Sequence, residues 1–244
     1  MARPAPCPTN PRNPGRRGFT LVELLVVIGI IALLMSILLP TLGRVKEQGN
    51  KIKCMSNLRQ IGQAMIMYAD KNKDMYPFAA STNSLHREED FIHWQEGNPA
   101  IKMENSALAP YLTPGEDGLK AIFRCPSDEL VRKAQGTGGF YYYSYSMNWR
   151  LSSGWLGSGV PIIKRSGIKR STDRALMIEE HSDTIDDGRW VWPGNRSAAY
   201  HETAARQQSQ DALCNTLFVD GHVGQVSRRE IESNGYITDP TKMQ

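Results

Sequence analysis

The 244-residue sequence has only four cysteines, no C-x-x-C pair and no internal repeat. Cys7, Cys54, Cys125 and Cys214 are too widely spaced to read as a zinc motif, whose thiolate ligands usually come in close pairs. His201-Glu202 lacks the second histidine of a helical zinc-protease motif, because position 205 is Ala205. Gly154, Gly157 and Gly159 do not lie between a strand and a helix, the context a phosphate-cradling loop requires. These absences lead to an expectation of no catalytic group, no cofactor and no metal. A composition of 40% hydrophobic and 22% charged residues also excludes a collagen-like, fully disordered or multi-span membrane protein.

Acidic residues are missing from the first eighteen positions, which hold Arg3, Arg12, Arg16 and Arg17 together with five of the 14 prolines. A segment of this kind buries no core. It also contains the whole charge excess. The chain has 29 basic and 25 acidic residues, and removing four arginines leaves the rest formally neutral. The body therefore offers no electrostatic case for a nucleic-acid partner.

Residues 19–39 read FTLVELLVVIGIIALLMSILL, with Glu23 as the one charge. As a helix this run is about 30 Å long, the thickness of a bilayer core. Being apolar on every side, it reads as membrane-resident, and the preceding arginines favour a cytoplasmic N-terminus. Arg44, Lys46, Lys51 and Lys53 follow the run, offset only by Glu47, so the charge bias is not one-sided. By composition alone a secretory signal peptide, with Thr41-Leu42-Gly43 as a weak cleavage site, fits nearly as well.

Glu23 separates the two readings. A carboxylate inside an apolar helix costs about 2.5–3.5 kcal/mol on insertion scales, and a signal peptide has no use for it. A cut between Gly18 and Phe19 would place a new α-amino group four residues before Glu23, one helical turn away and of opposite charge. Gly18 before the cut, preceded by the basic pair Arg16 and Arg17, would suit a membrane-embedded peptidase.

The run Arg16-Arg17-Gly18-Phe19-Thr20-Leu21-Val22-Glu23-Leu24 resembles the cleavage and methylation motif of type IV prepilins and type II secretion pseudopilins. The resemblance implies cleavage after Gly18, N-methylation of Phe19 and a filament-docking role for Glu23. Pro40 falls where many such proteins carry a helix-bending proline. The likeness covers the first fifth of the chain.

Beyond Pro40, the residues Cys54, Leu58, Ile61, Met65 and Tyr68 recur at helical spacing, which predicts an amphipathic continuation packed on the chain's own head. The helix is expected to end between Asp70 and Asp74, before Tyr76-Pro77. Downstream, the segment 123–128 reads as a strand end entering a loop, and 140–145, 175–180 and 189–192 as strands. Asp220-Gly221 between the apolar runs 215–219 and 222–226 predicts a hairpin with a two-residue type I′ turn. The expected fold class is α+β, a long N-terminal helix packed on an antiparallel β-sheet head. Its parts are a leader over 1–18, a membrane or filament-core helix over 19–39, an amphipathic continuation over 40–74 and a head over 75–244.

Cys125-Pro126-Ser127-Asp128, Tyr145-Ser146-Met147-Asn148-Trp149 and the hairpin Asp220-Gly221-His222 resemble the C-terminal domain of a large group of prepilin-like proteins, abundant in planctomycete-type bacteria. That group is described by a histidine, nine residues, then Asp-Gly. Here Gln210 stands at the histidine position, and the nearest upstream histidine is His201. Of the mature cysteines, Cys54 and Cys125 form the preferred disulfide, and three reduced core thiols are the alternative. Asp70, Asn72 and Asp74 begin like a calcium loop, but Met75 replaces the required glycine and Ser81 the final glutamate, so a helix C-terminal turn explains them better. Glu179, Glu180, His181, Asp183, Asp186 and Asp187 read as a solvated acidic loop, with a calcium-type cation site as the alternative, and Tyr141–Tyr145 and Trp149 as an aromatic core strand, with stacking on sugars or bases as the alternative.

The sequence therefore points to a non-enzymatic, pilin-like subunit of a type II secretion or type IV pilus-like filament. Its expected partners are a prepilin peptidase/N-methyltransferase, other pilin-like subunits and the inner membrane, with the head on the periplasmic or extracellular side. The competing reading is a membrane-anchored or secreted binding module or hydrolase that uses the N-terminal segment only for export.

Overall fold

The structure, a computed structural model, describes residues 19–80, 87–93, 102–112, 115–128, 132–133, 140–141, 143–152, 163–181, 184–185, 187–191, 194, 196–202 and 204–233. The leader, with Arg16, Arg17 and Gly18, lies outside them, as do Asp183, Asp186, Trp192 and the glycines at 154, 157 and 159. The chain divides into two compact units, Met1–Val45 and Lys46–Gln244. One helix, α1 (Leu21–Lys71), contributes residues to both.

In the first unit the described residues are helical from Leu21, and every large apolar side chain from Phe19 to Val45 is exposed. Such a surface is stable only in an apolar surrounding or against other apolar faces. Pro40 lies inside the helix, as expected, and has no N–H to donate back along it. Thr41 Oγ1 donates to the Leu38 carbonyl at 2.8 Å, and Ser36 Oγ to the Leu33 carbonyl at 2.7 Å, so neighbouring hydroxyls serve carbonyls of this stretch.

The second unit has an α+β core. Cys54, Leu58, Ile61, Met65 and Tyr68 all face inward from α1, the stripe that the sequence predicts. They meet a five-stranded sheet of β3 (Tyr145–Asn148), β4 (Ala175–Glu179), β5 (Arg189–Trp190), β6 (Leu213–Phe218) and β7 (Val223–Ser227), in the order β5-β3-β4-β6-β7. A separate ribbon pairs β1 (Arg132–Lys133) with β2 (Phe140–Tyr141). The sheet is antiparallel from β3 to β7, but β5 joins β3 in parallel, so the whole is mixed and not purely antiparallel. Helix and sheet come close at Gly62, where a Cβ would lie 2.7 Å from Leu217 Cδ1 of β6. Tyr143, Tyr145 and Met147 are buried, so the aromatic stretch belongs to the core.

Three local expectations are corrected. The segment before Cys125 is a helix, α2 (Glu116–Phe123), begun by Gly115 at φ 91° with Glu116 and Asp117 in its first turn. Acidic residues at a helix start complement its dipole, and Glu116 also pairs with Lys120 one turn on. The β6–β7 hairpin forms, but its loop has three residues. The Gly221 N–H donates to the Phe218 carbonyl and the Phe218 N–H to the His222 carbonyl, both at 2.9 Å, and of Asp220 and Gly221 only Gly221 has positive φ. This is a type I turn closed by a glycine bulge, which spares Asp220 the left-handed conformation that type I′ demands. Of the expected solvated acidic loop, the described carboxylates Glu179, Glu180 and Asp187 are buried instead, and Asp187 pairs with Arg189 at 2.7 Å.

At the end of α1, Lys73 and Asp74 take positive φ, and Arg165 pairs with Asp70 at 2.7 Å and Asp74 at 3.1 Å. These carboxylates close a helix terminus onto an arginine, in keeping with a C-terminal turn.

Candidate functional site

Two places in the described residues hold chemistry, and the first is the start of α1. Thr20 precedes the helix and Glu23 is its third residue. The Glu23 carboxylate accepts the Thr20 N–H at 2.9 Å and the Thr20 hydroxyl at 2.8 Å, while the Glu23 N–H donates to Thr20 Oγ1 at 3.2 Å. This is a capping box, in which the side chains of both residues satisfy backbone donors that a helix start leaves open. The acid on an otherwise uncharged apolar helix is thus held by its own chain. Because α1 begins at Leu21, Phe19 lies just outside it, and Thr20 is the residue whose backbone and hydroxyl hold Glu23.

The second place is buried in the unit Lys46–Gln244 and is assembled from four separate segments. Cys54 comes from α1, Cys125 from the turn after α2, Glu179 from the end of β4, and His201 from the segment before α3 (Ala204–Gln207). One ligand atom from each lies within 4.8 Å of every other. Cys54 Sγ is 2.5 Å from Glu179 Oε1, Cys125 Sγ is 3.3 Å from His201 Nε2, and His201 Nε2 is 3.5 Å from Glu179 Oε1.

A second ring of groups orients these four. His201 Nδ1 meets Glu47 Oε1 at 2.7 Å, and Glu47 also accepts from Ser127 Oγ at 2.7 Å. The Tyr145 hydroxyl donates to Cys54 Sγ at 3.0 Å. Asn215 donates its backbone N–H to Glu179 Oε2 at 3.0 Å and its amide to Glu179 Oε1 at 3.1 Å. Gln225 Nε2 donates to Asn215 Oδ1 at 3.2 Å, which fixes which end of that amide faces the cluster.

Burial governs the electrostatics here. Desolvation, reinforced by neighbouring Cys125 and Glu179, pushes the Cys54 thiol well above its ordinary range, and desolvation also raises Cys125. Burial alone would lower His201, but hydrogen bonds toward Cys54 and Glu179 outweigh it and lift the imidazole to about 10. No lysine or arginine pairs with Glu179 among the described residues.

The structure brings Cys54 and Cys125 together, as the preferred pairing requires, yet both are free thiols, as is buried Cys214. The expected disulfide is not formed, because each sulfur is engaged by Glu179 or His201 instead. His201, at its altered distance from Asp220-Gly221, belongs to this cluster and not to the hairpin. His222 stacks on Phe218 at the hairpin tip, with ring centroids 4.2 Å apart, and meets Asp220 at 2.6 Å. Sequence reasoning placed Glu179 in a solvated acidic loop and Glu47 among the charges after the apolar run, and joined neither to Cys54, Cys125 or His201. A carboxylate ending the apolar strand ALMIE was a usable signal for Glu179, while Glu47 reads like any charge on a helix surface.

The comparisons bear on the first place. The prokaryotic N-terminal methylation motif matches residues 13–39. The chain is pseudopilin-like in its N-terminal segment. That pseudopilin-like segment is 43% identical over 53 residues to "Type II secretion system core protein G" of Escherichia coli (strain K12). The match covers 22% of this chain and 37% of that relative, so the chain spans little more than a third of its length. No solved structure matches the chain significantly. The motif match ends at residue 39, short of Cys54, Cys125, Glu179 and His201, so it says nothing of the buried cluster. Among the described residues, α1 is the one helix long and apolar enough to cross a membrane, and with the motif it fits membrane anchoring.

Proposed function

We propose that the protein is a structural pilin-like subunit, not an enzyme, and that it acts through the N-terminal half of α1. A prepilin peptidase cuts between Gly18 and Phe19 and methylates the new terminus. The apolar helix resides in the inner membrane, with the leader side cytoplasmic and the C-terminal unit outside, and then packs with other pilin-like subunits into a type II secretion or type IV pilus-like filament. The observation that carries this reading is Glu23, the one charge among the exposed apolar residues 19–39 of the methylation motif. After cleavage, a Phe19 amine from the same or a neighbouring subunit supplies the positive charge that Glu23 lacks, and the capping box positions the carboxylate to meet it.

Mass spectrometry of the mature protein tests the processing step. The expected N-terminus is methylated Phe19, whereas a start near Arg44 would replace this reading with an export signal on a different kind of protein. Gly18→Leu is expected to block cleavage. Glu23→Ala is expected to leave cleavage intact and abolish filament incorporation, and normal incorporation of both variants would overturn the mechanism.

A further inference from the structure

The buried cluster has a donor set that the filament reading does not use. We propose that Cys54, Cys125, Glu179 and His201 together bind one structural zinc ion, with Glu47 as a positioning residue for His201. Two sulfurs, an imidazole nitrogen and a carboxylate oxygen are the ligand types zinc takes in four-coordinate sites. The sulfurs argue against calcium and magnesium, which prefer all-oxygen shells.

Bond lengths of about 2.0–2.3 Å place the ligand atoms of a tetrahedral zinc about 3.3–3.8 Å apart. The Cys125–His201 and His201–Glu179 separations of 3.3 Å and 3.5 Å already match. The 2.5 Å Cys54–Glu179 hydrogen bond opens by about 1 Å when the ion replaces its proton, and the farthest pair, within 4.8 Å, closes by a similar amount.

The surroundings carry the argument further. Zinc-bound histidines characteristically give their second ring nitrogen to a carboxylate, and here His201 Nδ1 meets Glu47 at 2.7 Å, leaving Nε2 toward the two sulfurs and Glu179. Each anionic ligand also has donors in place: Tyr145 on Cys54, the Asn215 backbone and amide on Glu179, and the Ser127 backbone on Cys125. Cys54, Cys125 and Glu179 are wholly buried and the His201 side chain is 3% exposed, so no coordination position opens to solvent and the ion holds structure instead of catalysing. Its ligands come from four chain segments, so it ties α1 to the sheet where the expected disulfide would otherwise do so. Wide sequence spacing, which argued against zinc, is no obstacle once the fold closes these distances.

The test uses the full-length chain purified in detergent under reducing conditions. One zinc per chain is expected by elemental analysis, and cobalt substitution should give the intense bands of a tetrahedral ion with thiolate charge transfer. Glu47→Gln should weaken binding about 10–100-fold while keeping the same cobalt spectrum, the mark of a positioning residue. Cys54→Ser and His201→Ala should weaken it further and change the spectrum, whereas Cys214→Ala should alter neither. The proposal fails if folded wild-type protein holds no metal after reconstitution, if its cobalt spectrum lacks thiolate bands, or if Cys54 and Cys125 are found disulfide-bonded in protein isolated without added oxidant. The wild-type spectra decide the matter even where a ligand variant does not fold.

Discussion

Asn57 is the most informative single position for testing how the C-terminal unit is held together. It is fully buried on α1, and its amide donates to the Ala121 carbonyl at 2.9 Å and the Arg124 carbonyl at 3.2 Å, at the end of α2. The Ala121 carbonyl lacks its usual helical partner, because the Cys125 N–H turns away to Ser144 Oγ at 3.0 Å. Asn57→Ala therefore leaves two part-buried carbonyls without this donor. Each costs about 1–3 kcal/mol when left unpaired, offset in part by removing Asn57 Oδ1, which has no hydrogen-bond partner of its own. The expected net loss is about 2–4 kcal/mol. At a urea dependence of about 1–3 kcal/mol/M, the unfolding midpoint falls by about 1–2 M with unchanged slope. The fluorescence of buried Trp190 offers a readout, and hydrogen exchange should show α2 amides losing protection before those of β6. Asn57→Asp should be at least as destabilising at neutral pH, since a carboxylate would then face the same two carbonyls. A midpoint shift below about 0.3 M, or unchanged α2 protection, would refute the capping argument.

Three further outcomes follow. The Asp74 carboxyl sits below its ordinary value of 3.8, chiefly through hydrogen bonds from Ser166 and also through Arg165. A depressed folded-state value contributes stability that is present above pH 4 and lost as pH falls through it, so thermal melts of wild type and Asp74→Asn should differ at pH 7 and converge near pH 2. Gly221→Ala, at φ 90° and with a Cβ 3.2 Å from Ile66 Cδ1, should destabilise by about 1–2 kcal/mol in chemical denaturation; a neutral result would contradict the glycine-bulge turn. Gly62→Leu should cost about 1–3 kcal/mol or more by overpacking against Leu217, and adding Leu217→Ala should recover part of it in a double-mutant cycle, whereas strict additivity would mean that the helix–sheet contact is not the cause.

Local patterns were legible wherever one physical requirement dominated. The apolar run of 19–39, its solitary Glu23 and the stripe from Cys54 to Tyr68 could be read directly, because membrane residence and helix amphipathicity act on every residue of a long segment at once. Strands at 175–179 and on both sides of Asp220-Gly221 were visible for the same reason. The short helix α2 was not. α2 has only eight residues, and its existence depends on Gly115, a Glu116–Lys120 pair and the Asn57 cap, of which the last comes from a distant helix. A strand at 189–192 was legible, but that its two-residue core β5 lies parallel to β3 depends on packing between distant segments.

By itself the sequence supplied the methylation motif and the apolar run of membrane-spanning length in the first forty residues, because a motif, an apolar length and a charge placed a few residues apart are properties of contiguous chain. Only the tertiary structure decided what Cys54, Cys125, Glu179, His201 and Glu47 have in common. They come from α1, the turn after α2, the end of β4 and the segment before α3. No spacing along the chain encodes the distances that the packing of helix on sheet brings below 5 Å.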